Sequence, residues 1–251
     1  PCSRLVPWKS SRHRLGAGVV SVVMSGPSPE ELYVQAAASF IAFARKVDDE
    51  DWSRPVPCTP EWSARDVVGH VVGLVDDVLE DRMERAPSAE WTALQVARHA
   101  HGGVEELLAS WEAKLEPFAA WIADTGASWP GSDCHTHEHD LRHALDLPGN
   151  RENVIVSASA QGFLQRLDVP FPFEIEMDGK VCTNGHEELG RYPHEEVVLR
   201  AMTSFEVFRS RLGRRSRAQV EEYRWSGPSD RISCLIEQWF MLGPSTIAIH
   251  E

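Results

Sequence analysis

Between residues 28 and 147, apolar side chains recur three and four positions apart in four successive stretches. That spacing leaves few folds open other than a bundle of amphipathic helices. The first stretch opens at Ser28-Pro-Glu-Glu31, a capping serine, a first-turn proline and two carboxylates at the positive end of the helix dipole. Its stripe is Leu32, Ala36, Phe40, Phe43 and Val47. The second begins at Ser63, with Asp66 three residues on as a capping-box variant, and runs to about 82. The third carries Val104, Leu108, Trp111, Leu115, Phe118 and Ile122 as one long seam. The fourth covers 132–147 and stops at Pro148-Gly149. Four such helices in a row predict a four-helix bundle.

After residue 150 the pattern changes. A helix over 154–167 precedes two runs, Phe173–Met177 and Lys180–Thr183, that flank Asp178-Gly179, a hairpin signal. A strand over 195–199 and a helix over 204–212 follow, then short helices and turns. The expected class is α+β, with a helical bundle over 26–149 and a small α+β domain over 150–251. Residues 1–25 are read as a disordered leader or a start assigned too early, since Met24 leads directly into the first helix cap. Arg4, Lys9, Arg12 and Arg14 before the apolar stretch 15–24 resemble a weak secretory signal, but two glycines and a poor cleavage site argue against it.

Acidic side chains number 38 against 25 basic, a formal charge of -13, which argues against a nucleic-acid partner because phosphate binding needs a basic footprint. No apolar run approaches the roughly 18 residues of a membrane span. Cys2, Cys58, Cys134, Cys182 and Cys234 are scattered and form no CxxC pair. Neither a disulfide framework nor a cysteine zinc site is expected, and a reducing, cytoplasmic location fits.

The histidines carry the chemistry. His135, His137, His139 and His143 crowd into the fourth helix. Cys134, Leu141, Ala144 and Leu145 define its apolar face, and Asp133 and His137, four apart, stack on that side. His135, His139 and His143 point the other way, toward solvent or a neighbouring domain, and are read as surface residues. His139 or His143 would serve as a ligand only if the helix were rotated. Burying a carboxylate and an imidazole together is costly unless a cation shared with a third ligand offsets it. His70, at the margin of the second helix's apolar face, is the natural third ligand. Two histidines and a carboxylate suit zinc or another divalent ion and leave coordination positions open. At this level a solvated histidine-rich face and a structural Asp–His hydrogen bond remain alternatives.

Two of these segments resemble a known family. Thr59-Pro-Glu-Trp-Ser-Ala-Arg-Asp-Val-Val-Gly-His70 is similar to the W-S/T-x-R-D-x-x-x-H segment of the mycothiol-dependent maleylpyruvate isomerases, within the DinB-like superfamily. Asp133 to Leu145, with His137-Glu-His-Asp-Leu-Arg-His, resembles that family's second metal segment. Gly213-Arg-Arg-Ser-Arg-Ala-Gln219 and the stretch 242–251 resemble its carboxy-terminal region. The resemblance spans about 28–251 and implies a DinB-like zinc-binding bundle followed by an α+β domain, with His70, Asp133 and His137 as ligands. It also implies mycothiol as thiol cofactor or co-substrate. In the isomerase, thiolate adds to the double bond of maleylpyruvate, and rotation and thiol expulsion give fumarylpyruvate. Other relatives transfer the thiol to electrophiles. The family places an arginine of its second domain beside the active site to take a substrate carboxylate. Arg214 matches best as that catalytic residue, with Arg215 and Arg217 as alternatives. The isomerase has glutamate where this chain has Asp133, which puts the substrate in doubt more than the metal.

The expected partners are thus a small-molecule substrate and a low-molecular-weight thiol, with no nucleic acid and no membrane. Competing readings are a metal-dependent hydrolase and a non-catalytic DinB-like stress-response protein with a structural metal. A fourth protein ligand such as His139 would favour the last. No nucleophile elbow, P-loop or dinucleotide glycine motif is present.

Overall fold

The computed structural model describes residues 26–183 and 197–251. The expectations for the leader, 1–25, lie outside the described residues. Helix α1 (Pro29–Ala44) starts where the sequence places it: Ser28 Oγ accepts from the Glu31 amide, and Glu31 Oε2 accepts from the Ser28 amide at 2.8 Å. A short antiparallel pair, β1 (Pro55–Val56) and β2 (Thr59–Ser63), feeds α2 (Ala64–Leu79). Ser63 and Asp66 close that helix start with reciprocal bonds, including Ser63 N to Asp66 Oδ2 at 2.9 Å. Ser63→Ala should cost about 1 kcal/mol, a Tm loss of roughly 2–4 °C by calorimetry, while metal content stays unchanged.

The long third helix of the sequence reading is two helices, α4 (Val104–Glu112) and α5 (Leu115–Thr125). Pro117 explains the break. It has no amide for the Ala113 carbonyl and its ring collides with that group, so the helix restarts after Lys114. The seam survives, with Leu108, Trp111, Phe118 and Ile122 all buried. Trp111 Nε1 donates to Tyr33 Oη at 2.7 Å and ties α4 to α1. A helix not foreseen, α3 (Ala89–Arg98), packs on α2 outside the four. Helix α6 (Trp129–Ala144) completes the bundle against α1 and α2.

The second half is built on α7 (Val154–Leu164) and a four-stranded sheet, confirming the α+β class. Strands β3 (Phe173–Met177) and β4 (Lys180–Thr183) form the expected hairpin. Asp178 and Gly179 both have positive φ, 51° and 72°, as a tight two-residue turn requires. The strand expected over 195–199 is β5 (Val197–Met202) in its described part, parallel to β3. Then come α8 (Ser204–Arg211), α9 (Arg217–Glu221), β6 (Arg224–Ser226) and α10 (Ser229–Trp239). The sheet order is β4-β3-β5-β6. One apolar core fills the bundle, and a second lies between the sheet and Leu164, Leu235 and Trp239. Phe163, Phe205 and Phe208 make a third, smaller cluster between α7 and α8. Among the described residues no helix is long and apolar enough to cross a membrane.

Candidate metal centre

Helix α6 brings Asp133 and His137 one turn apart, and α2 presents His70 to the same point. One ligand atom from each of the three lies within 4.8 Å of the others. His137 Nε2 is 3.8 Å from Asp133 Oδ1. Donors to one tetrahedral ion with bonds of about 2.1 Å stand roughly 3.4 Å apart, so a small adjustment closes the set. His70 and His137 are both buried, their rings 4.8 Å apart and edge to face. The indole of Trp62, on β2, lies over both, with ring centroids at 5.0 and 6.4 Å.

Each imidazole is held at its far side. Gln95 Oε1 is 2.7 Å from His70 Nδ1. Asp140 Oδ2 is 3.0 Å from His137 Nδ1. Both Nε2 atoms are thereby left for a cation. Burial pushes the His70 pKa down to about 4, aided by neighbouring His137, so its lone pair is available at neutral pH. Asp133 Oδ2 is buried without a hydrogen-bond partner, an expensive state for a carboxylate that a cation would relieve. The residues present fit a divalent ion.

Asp140 links this site to the second half of the chain. It receives Arg214 Nη2 at 2.7 Å and Arg209 Nη2 at 2.8 Å. Burial alone would raise its pKa, but the Arg214 and Arg209 guanidiniums outweigh that and hold it well below the usual carboxylate range. Arg209 is fully buried and also bonds Thr136 and Glu251. Of the three arginines weighed from sequence, Arg214 alone reaches Asp140. Arg215 pairs with Glu206 and Glu251, and Arg217 sits half-exposed beside Glu221. Arg214 also lines a cleft of ≈ 240 Å³ with Cys58, Thr59, Leu212 and Gly243. Burial, with Asp140 adding to it, pushes the Cys58 thiol up to about 12, so Cys58 is not a thiolate at neutral pH.

Of the two surroundings expected for the outward histidines, His135 and His139 meet the second half of the chain and not solvent. His135 and His139 are not surface residues; they are 0% and 2% exposed. They lie against Phe208 and Phe205, with ring centroids 5.9 and 4.7 Å away. His139 Nε2 contacts the Asn150 carbonyl and His135 Nε2, both at 3.2 Å, so it is engaged away from His70, Asp133 and His137. His143 is half-buried and lies outside the cluster as well. The helix is not rotated. Sequence reasoning also passed over Gln95 and Arg209; Trp62 and Asp140 were legible only as parts of the two family-like segments.

Residues 33–145 match the family model described as the mycothiol maleylpyruvate isomerase N-terminal domain. The resemblance carried by the two motifs therefore holds over the stretch that contains His70, Asp133 and His137. No curated protein and no solved structure matches the chain.

Proposed function

We propose that this chain, whose helical half carries a domain similar to that of the mycothiol maleylpyruvate isomerases, is a metal-dependent enzyme that works through mycothiol. The reaction is isomerisation of maleylpyruvate-like substrates or transfer of the thiol to electrophiles. The observation that carries this is the convergence of His70, Asp133 and His137, with no fourth side chain among the described residues joining them. A zinc ion held there would offer an open position to the thiol sulfur and lower its pKa, giving thiolate at neutral pH.

The remaining steps belong to the protein. His70 presents Nε2 because Gln95 occupies its Nδ1, and the Asp140 carboxylate stands 3.0 Å from Nδ1 of His137, leaving that ring's Nε2 toward the same point. The Trp62 indole packs beside both imidazoles and offers an apolar wall on that side. Arg214 has five N–H donors, of which Asp140 takes two and the Leu212 carbonyl one. We assign the remaining two to a substrate carboxylate entering the cleft that Arg214 lines. The division into a metal-binding bundle, 26–149, and a C-terminal unit, 150–251, is proposed with this role; two separate buried cores support it. Free thiols at Cys58, Cys134, Cys182 and Cys234 support a cytoplasmic location.

A hydrolase would use the same open position for water. The two separate on titration of the Co(II)-loaded protein with mycothiol. A sulfur-to-metal absorption band that saturates, followed by turnover of maleylpyruvate, is the expected result. Binding without turnover favours the transferase, and no binding at millimolar thiol would sink the thiol-dependent reading.

A further inference from the structure

We propose that α3 is a positioning element for the metal centre and that Gln95 fixes the tautomer of His70; this rests on reading His70, Asp133 and His137 as metal ligands. Helix α3 stands outside the bundle, and its buried side chains are Trp91 and Gln95. Both ends of the Gln95 amide are used. Its Nε2 donates to Asp77 Oδ2 at 2.8 Å and its Oε1 meets His70 Nδ1 at 2.7 Å. Asp77 is wholly buried and takes Arg82 Nε at 2.8 Å and Arg98 Nη2 at 2.5 Å on its other oxygen. A carboxylate paired with two guanidiniums can only accept, so the amide nitrogen must face Asp77 and the amide oxygen must face His70. An oxygen can only accept in its turn. His70 must therefore carry its proton on Nδ1 and turn the Nε2 lone pair to the cation.

The close approach this needs is written into α2. Gly69 and Gly73 lie one turn apart on the face that meets α3. A Cβ on Gly73 would come within 2.7 Å of the Gln95 Cβ and 3.1 Å of its Cα, and one on Gly69 within 3.3 Å of the His99 Cβ. The bare backbone lets α3 sit low enough for a glutamine to reach His70. The backing is also asymmetric. His137 has the Asp140 carboxylate behind it, whereas His70 has a neutral amide.

Two measurements test this. In metal-free protein, nitrogen-15 imidazole spectra should show His70 as the Nδ1–H tautomer; the Nε2–H tautomer overturns the inference whatever any variant does. Gln95→Met keeps the volume and removes the acceptor. It should weaken Co(II) binding by roughly 10–100-fold and change the d–d absorption. Gln95→Glu keeps an acceptor oxygen toward His70 but gives up the donor to Asp77, so it should bind Co(II) more tightly than Gln95→Met while falling short of wild type. Loss in both variants alike would assign the effect to helix packing and overturn the inference. Wild type that binds no Co(II) sinks the metal reading together with this one, while a metal-binding wild type and an unchanged Gln95→Met sink this one alone.

Discussion

His70→Ala and His137→Ala should each take the purified protein from about one divalent ion per chain to near none, because two remaining donors do not hold a zinc-type ion against dialysis. The three ligand atoms already lie within 4.8 Å of one another, so the site needs little rearrangement to load, and among the described residues no spare side chain joins the cluster to replace a lost one. His135 and His139 cannot step in, since Asn150 and Asn153 engage them on the other side of α6. Removing the His70 ring also leaves the buried Gln95 oxygen without a donor, at about 1–3 kcal/mol. Circular dichroism should therefore show a folded protein of lower Tm rather than an unfolded one. Asp133→Ala should behave like the histidine variants. Asp133→Glu, one methylene longer and the residue of the resembling isomerases at this place, should keep the metal. Elemental analysis that finds equal metal in wild type and both histidine variants removes the centre.

Much of this site could be read from spacing because its parts are local. Asp133 and His137 share a face by helix geometry, and the Ser28 and Ser63 caps fix where α1 and α2 begin. What escaped was whatever depends on a neighbour. Helix α3 shows no apolar stripe, since its buried pair is one indole and one amide, and nothing in its pattern announces that the amide serves His70. Pro117 was visible as a residue, but the unbroken seam from Val104 to Ile122 concealed the break it makes. His135 and His139 lie on a polar face that periodicity cannot distinguish from a surface. That face is covered by Phe205 and Phe208 of α8 and by Asn150 and Asn153 ahead of α7. The resemblance, for its part, pointed to an arginine of the second half near the site. It did not show that Arg214 reaches it through Asp140.

That last link gives the other large expected effect. Asp140→Ala should destabilise the protein by about 3–5 kcal/mol, read as a lower urea midpoint, because it removes the carboxylate between two buried guanidiniums. Arg209 keeps Glu251 and Thr136, and Arg214 keeps the Leu212 carbonyl, so the loss is partial neutralisation and not complete exposure of either charge. Metal affinity should fall as well, by roughly tenfold or more, since His137 loses the oxygen behind its Nδ1. Asp140→Asn should fall between, keeping an acceptor while giving up the charge. Coupling to the second half can be isolated by a double-mutant cycle of Asp140→Ala with Arg214→Ala. The bidentate contact, 2.7 Å at Nη2 and 3.3 Å at Nε, predicts losses that are non-additive by roughly 0.5–3 kcal/mol. Additive losses would mean that Arg214 owes its place beside the cleft to the 212–215 backbone, and that the second half reaches His137 through Arg209 alone.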